Sequence, residues 1–341
     1  MGFWKKGEIK LTTYFVTGAT GFIGQHLVRV LSRRGNRILA LSRRHDQQLY
    51  SNPLVEWIKA DVHDVESYRF ALKHADFVVH LAGLINARRK EEYIRMNVKG
   101  TLTLLKACKE EGAPKKRFLH MSSIAAMGPS YDGTLLNESR LCCPETEYGK
   151  SKLKAERVVI NYSRSIPVVI LRPSFVYGSG DKRSLKTLTT VINQSNMTSI
   201  SFAGTISLCY VSDLIQACML SLEKDLDSGE IFIISDPHFY TWEDIDKAIQ
   251  NAVTALVEVR GSNRDWLRGK SPGISFFETH PKAMKRLQHW GCDITQARTK
   301  LGFEPKVFLK EGALETIHWY LKEGVLNLSL WKGTNLLPSG R

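Results

Sequence analysis

A chain of 341 residues that is 43% hydrophobic can bury a sizeable core, as two domains or as one domain with a large appendage. Its formal net charge of +14 is spread over scattered groups (Arg33-Arg34, Arg43-Arg44, Arg88-Arg89-Lys90, Lys115-Lys116-Arg117) with no nucleic-acid motif, so no nucleic-acid partner is expected. The six cysteines (108, 142, 143, 209, 218, 292) show no metal-site spacing, so no metal is expected and reduced thiols in a cytoplasmic protein are the simplest reading. No run reaches the ~18 uninterrupted apolar residues of a membrane span; the nearest, Ile200 to Leu222, is broken by Ser207 and Asp213. The opening Met-Gly-Phe-Trp-Lys-Lys reads as neither an export nor an acylation signal.

In chain order, hydrophobic periodicity predicts a strand over Leu11 to Val16, a helix over Phe22 to Arg34, a strand over Arg37 to Leu41 and a helix over Asp64 to Lys73. A strand over Phe77 to Leu81, a helix over about Glu91 to Glu110 and a strand over Arg117 to Met121 follow. A helix from about Glu147 to Ser163 then leads to a strand over Val168 to Leu171. Strands separated by helices imply parallel pairing through right-handed crossovers, hence an α/β, Rossmann-type doubly wound sheet. Beyond Gly178 the pattern turns irregular, with Ile231 to Ile234 as one late strand. The expected division is a dinucleotide-binding Rossmann domain over 11–177 plus about 213–235, and a smaller C-terminal α+β substrate lobe over about 178–212 and 236–325. The stretch 326–341 reads as a tail.

Between the first strand and the first helix stands Thr17-Gly18-Ala19-Thr20-Gly21-Phe22-Ile23-Gly24. Glycines at this spacing allow a tight turn, let backbone N–H groups approach a pyrophosphate and let the helix pack on the strand, while the helix N-terminus favours an anion. Gly18, Thr20, Gly21, Phe22, Ile23 and Gly24 are therefore candidate cofactor-binding residues. An acidic residue closing the second strand would hold the ribose 2′-hydroxyl of NAD; this chain has Leu41-Ser42-Arg43-Arg44 instead. Arg43 and Arg44 suit a 2′-phosphate, which points to NADP with NAD as the alternative. Alone, the two arginines read equally as solvated side chains.

The glycine segment combines with Asp61-Val62, His80-Leu81-Ala82-Gly83, Asn97-Val98-Lys99-Gly100-Thr101, Ser122-Ser123 and Tyr148-Gly149-Lys150-Ser151-Lys152. Leu171-Arg172-Pro173, Val176-Tyr177-Gly178, Tyr210-Val211-Ser212-Asp213-Leu214 and Leu301-Gly302-Phe303-Glu304-Pro305 complete the ordered set. Together, over nearly the whole chain, they resemble the extended short-chain dehydrogenase/reductase family, which contains NAD(P)-dependent epimerase/dehydratases and 3β-hydroxysteroid-dehydrogenase-like and dihydroflavonol-reductase-like enzymes. The resemblance implies that Asp61 and Val62 contact the adenine, that Leu81, Ala82 and Gly83 line the cofactor, and that Pro173 and its successors, Val176 included, lie against the nicotinamide. It also implies a homodimer formed through a helix pair. Without it, Asp61 reads as a turn residue and Pro173 as a strand terminator.

Tyr148 and Lys152 are four apart on a predicted helix and so share a face. A free phenol titrates near ~10, and a neighbouring ammonium is expected to favour the phenolate, fitting Tyr148 for general acid/base work. Taken alone, such a pair equally marks an exposed helix face. Ser123, at the end of the Phe118 to Met121 strand, is chosen over Ser122 to hydrogen-bond the substrate oxygen. The resemblance adds Lys152 on the nicotinamide ribose; Asn97 is read as supporting the helix and a water path to Lys152.

Ile124-Ala125 beside the serine lacks the acidic residue of the family's dehydratases, and Ile206-Ser207-Leu208-Cys209 before Tyr210 lacks the arginine with which its sugar-nucleotide epimerases grip a diphosphate. Met127 likewise stands where sugar enzymes often have tyrosine. The leading expectation is thus reversible alcohol/ketone oxidoreduction on a fairly apolar small molecule. Nucleotide-sugar epimerisation is the alternative, with Lys182 or Arg183 as the substitute cation. A third reading, a redox sensor or scaffold that binds NADP without turnover, leaves the Ser/Tyr/Lys set without a purpose.

Overall fold

The structure is a computed structural model, and it describes residues 11–43, 50–182, 204–259 and 288–325. Arg44, Arg183 and the 326–341 stretch lie outside the described residues.

The sheet has seven strands: β1 (Thr13–Thr17), β2 (Arg37–Ser42), β3 (Val55–Lys59), β4 (Phe77–His80), β5 (Arg117–Met121), β6 (Val168–Pro173) and β9 (Glu230–Ile234), ordered β3-β2-β1-β4-β5-β6-β9. From β3 through β6 every pairing is parallel. Strands β1, β4, β5 and β6 are buried along their whole length, as near-continuous apolar runs covered by helices on both faces should be. The order reverses between β1 and β4, and in a doubly wound sheet the carboxyl ends at that reversal are where a ligand is received.

Helix α1 (Phe22–Arg33) follows β1; α2 (Arg69–Lys73), α3 (Lys90–Tyr93), α4 (Gly100–Glu110) and α5 (Glu147–Asn161) follow in turn. Thr146 caps α5, its hydroxyl oxygen accepting from the Gly149 N–H at 3.0 Å. Phe15, Leu39, Tyr68, Leu72, Val78, Leu104, Phe118, Val159 and Ile170 form one core cluster, and the Tyr68 hydroxyl is satisfied inside it by donating to the Val62 carbonyl at 2.8 Å.

Three local differences from expectation have physical reasons. Strand β3 is absent from the periodicity reading: in Val55-Glu56-Trp57-Ile58-Lys59 no residue is fully buried, because it lies at the sheet edge. The expected 64–73 helix breaks into a 3₁₀ turn at Val65–Ser67 and the short α2, with Tyr68 turned into the core between them. The expected 91–110 helix contains a π turn at Ile94–Lys99 between α3 and α4.

The chain divides into two compact units, the first holding the described residues up to Ala126 with Pro144–Leu171 and Cys218–Ile231. The second holds Met127–Cys143, Arg172–Ala217 and the described residues from Phe232 on. It contains the parallel pair β7 (Phe175–Tyr177) and β8 (Leu208–Tyr210), and its helices Trp242–Val259 and Leu309–Lys322 pack on each other. Among the described residues beyond Gly178, the expected irregular stretch contains the helices Val211–Glu223, Trp242–Val259 and Leu309–Lys322. Among the described residues, no helix is long and apolar enough to cross a membrane.

Candidate active site

The glycine cradle is built by backbone running against backbone. Gly18 has φ +70°, and a Cβ there would lie 2.6 Å from the Ala82 nitrogen and 2.7 Å from the Leu81 carbonyl carbon, so the turn closes only because that position lacks a side chain. A Cβ on Gly24 would overlap the Gly18 carbonyl oxygen, which brings the first turn of α1 directly onto the cradle. Gly21 stands at the N-cap with no side-chain cap, so the first N–H groups of α1 are left for another partner. Thr20 is exposed; Phe22 and Ile23 are half-buried. A tight glycine turn opening onto an uncapped helix fits a pyrophosphate, and with it a dinucleotide.

At the end of β2, Ser42 is buried and Arg43 exposed, with no carboxylate. Asp61 accepts the His63 N–H at 2.9 Å, which makes it a turn residue, and Val62 is buried beside it. Leu81 and Ala82 are half-buried and Gly83 exposed, at the mouth of β4. Pro173, ending β6, and Val176, in β7, belong to the second unit.

A chain of buried polar groups runs from the cradle to α5. The Thr101 hydroxyl donates to the Asn97 carbonyl at 2.6 Å, so His80 Nε2 must donate to Thr101 Oγ1 at 3.0 Å. Its Nδ1 is then left to accept from Thr17 Oγ1 at 2.7 Å, and Thr17 Oγ1 accepts the Ala82 N–H at 3.3 Å. Burial pulls His80 down to about 3, so the ring is neutral and this tautomer is fixed. The Asn97 amide, on the π turn and fully buried, donates to Leu84 O at 3.0 Å and Ser151 Oγ at 2.8 Å and accepts the Leu84 N–H at 2.7 Å. Ser151 in turn donates to the Tyr148 carbonyl at 2.7 Å. Sequence reasoning quoted His80 only as part of a motif; its place inside a buried strand, flanked by Thr17 and Thr101, depends on strand order.

Ser123, Tyr148 and Lys152 meet where β5 ends. The Ser123 hydroxyl lies beside the Tyr148 phenol and favours its ionised form. Lys152 Nζ donates to the Met121 carbonyl at 2.5 Å, with the side chain only 4% exposed. Ser122 takes a different partner, donating to the buried carboxylate of Glu156. The Tyr93 ring sits 6.2 Å from that of Tyr148, and its hydroxyl donates to the Ile85 carbonyl at 3.0 Å and receives the Ala87 N–H at 3.1 Å. Tyr93, Ser122 and Glu156 were not singled out as site residues, although Glu156 continues the four-residue spacing of Tyr148 and Lys152.

The electrostatics correct one expectation. Burial pushes Tyr148 up to about 12, opposed by the neighbouring Ser123 hydroxyl; Lys152 is not among the groups that move it. Burial also pulls Lys152 down to about 8. Sharing a helix face does not bring the phenol toward neutral pH here, because removing water penalises the phenolate more than the surrounding groups support it, and Nζ is turned onto a backbone carbonyl. The phenol is thus held protonated.

Residues 14–235 match the family model described as the NAD dependent epimerase/dehydratase family. The chain belongs to the NAD-dependent epimerase/dehydratase family. Membership makes it an NAD-dependent enzyme and bears out the resemblance that the ordered motifs carry. Within the epimerase/dehydratase family it is 27% identical over 329 residues to a UDP-glucose 4-epimerase of Vibrio cholerae, covering 90% of this chain and 95% of that protein. It is 27% identical over 331 residues to a ceramide reductase of Caulobacter vibrioides, covering 91% and 95%. Among solved structures it is similar to MoeE5 in complex with UDP-glucuronic acid and NAD, at TM-score 0.68 and 25% identity over 91% of this chain and 99% of that one.

Proposed function

We propose that this chain catalyses reversible oxidoreduction between a secondary alcohol and a ketone, with Tyr148 as the general acid in reduction. The observation that carries the reading is the convergence of the Ser123 hydroxyl, the buried Tyr148 phenol and the Lys152 amine at the end of β5. The nicotinamide, when bound, gives or takes the hydride at the substrate carbon. Ser123 would hold the substrate oxygen, and as that oxygen gains electrons it becomes far more basic than a phenolate, so Tyr148 Oη would give up its proton to it. Lys152 would bind the cofactor ribose, Asn97 would fix α5, and Gly18, Thr20, Gly21, Phe22, Ile23 and Gly24 would hold the pyrophosphate. Asp61 and Val62 would contact the adenine; Leu81, Ala82, Gly83, Pro173 and Val176 would line the rest of the cofactor.

An apolar substrate is supported by Ile85, 62% exposed and tied through Tyr93 to the Tyr148 ring. NADP as the preferred form is supported by Arg43 and by the missing carboxylate at the end of β2. Nucleotide-sugar epimerisation is the second reading, favoured by the identity to the Vibrio cholerae epimerase over nearly the whole chain; it would use the same tyrosine through a keto intermediate.

Tyr148→Phe should lower turnover by roughly 10²- to 10⁴-fold while dinucleotide affinity stays within about twofold; unchanged turnover would defeat the mechanism. Arg43→Ala should weaken NADPH about tenfold and leave NADH unaffected, as measured by fluorescence titration. Thermal shift with UDP- and dTDP-sugars beside steroid and phenolic ketones separates the two readings, since a shift confined to the sugars would reverse their order.

A further inference from the structure

The strand end Met121-Ser122-Ser123 meets three side chains of α5 that stand one turn apart. Tyr148 lies beside the Ser123 hydroxyl, Lys152 bonds the Met121 carbonyl, and Glu156 accepts from the Ser122 hydroxyl. Residues spaced by four share a helix face, so the three contacts form one ladder along one line of α5. The proposed chemistry uses the first two rungs and leaves the third unexplained. A carboxylate that is 2% exposed is costly to bury and persists where something nearby repays it. One turn away is Lys152, itself 4% exposed.

We propose that Glu156, fixed by Ser122, is a positioning residue whose negative charge keeps the buried Lys152 an ammonium and holds it in register with Tyr148. This rests on the reading of Lys152 as a cofactor-binding cation. The titratable rings on the neighbouring strands do not repay its charge. His80 from β4 and His120 from β5 are both kept neutral by burial, and Lys152 acts on each as a further destabilising cation. The two His120 ring nitrogens have no hydrogen-bond partner in the structure. Among the described residues, Glu156 is the group that raises Lys152, against the burial that pulls it to about 8. Lys152 therefore has little margin at neutral pH: with its midpoint one unit lower it would be only about half charged at pH 7.

The test is a ¹⁵N NMR titration of the Lys152 ammonium in the full chain, its resonance assigned by loss in Lys152→Arg. In the wild type the midpoint should lie near 8. In Glu156→Gln it should fall by at least about one pH unit, and in Glu156→Asp, which keeps the charge one methylene further back, it should fall by less. An identical midpoint in wild type and Glu156→Gln overturns the proposal. If Glu156→Gln does not fold, Glu156→Asp decides alone, an unmoved midpoint again overturning it. The titration needs no turnover, so it fails or succeeds separately from the oxidoreductase reading. Should that reading hold, the alkaline limb of the NADPH-dependent rate would move down in pH by the same interval in Glu156→Gln.

Discussion

Each compact unit holds one prominent arrangement of polar groups turned away from solvent, and the two differ in kind. In the first, the line from Ala82 through Thr17, His80, Thr101 and Asn97 to Ser151 is made of neutral hydroxyls, amides and one imidazole, each donating in a defined direction. In the second, buried or half-buried carboxylates pin loops. Asp236 accepts the His238 N–H at 3.0 Å and the Tyr240 hydroxyl at 2.9 Å, Asp213 accepts the Lys306 and Val307 N–H groups at 3.1 and 3.0 Å, and Glu138 accepts the Ile233 N–H at 2.7 Å. Burial raises all three acids. A neutral network holds its geometry at any ordinary pH, whereas carboxylate pins respond to it. This line, running beside the candidate chemistry, is thus built from groups that do not titrate in the working range.

The sharpest way to break this contrast is His80→Leu, which leaves the Thr17 donor and the Thr101 acceptor without partners in the core. It should cost about 4 kcal/mol, equally at pH 5 and pH 8, in denaturant melts. A loss confined to one pH would show that the imidazole titrates and that the network is not neutral. Next in size is Asp236. Its folded value of about 6 lies above the ordinary 3.8, so the folded state takes up the proton first; stability is fully gained below about 4 and lost as pH rises through 6. The wild type should therefore be up to about 3 kcal/mol more stable relative to Asp236→Asn at pH 4 than at pH 7, and parallel curves would contradict the assignment. The smallest effect is expected for Glu138→Gln, which removes the half-buried charge yet can still accept the Ile233 N–H. Its stability at pH 7 should stay within about 1 kcal/mol of the wild type.

The first unit was largely legible because its signals are local. An apolar run, three glycines and a helix opening stand side by side in residues 13–24, and Tyr148 and Lys152 carry their relation in their spacing. Strand β3 was not legible because an edge strand with Glu56 and Lys59 exposed shows too little apolar patterning. The choice between Ser122 and Ser123 rests on which of two adjacent side chains turns toward α5 at which height, a matter of how β5 meets a helix that begins 24 residues later. The expected effect of Lys152 on Tyr148 failed because spacing gives direction along a helix and says nothing of how much water is lost. In the second unit, Asp213, Asp236 and Glu138 find partners 93, 2 and 95 residues away, and only the near one leaves a trace in sequence.

The wide turn at Ile94–Lys99 imposes a constraint of length as well as identity. A helix that makes one π turn carries a surplus residue relative to an even coil, and here Asn97 lies within that surplus. Deleting any one residue of the segment would let the backbone rewind into a regular helix, but it would swing the side chains on one flank by about 100° against those on the other. Asn97 could then face Leu84 and Ser151 only by turning the buried Leu104, Leu105 and Cys108 out of the core. Conservative replacements should be tolerated along this helix where a single-codon deletion is not, so the local irregularity acts as a ruler between the cradle and the face on which Tyr148 stands.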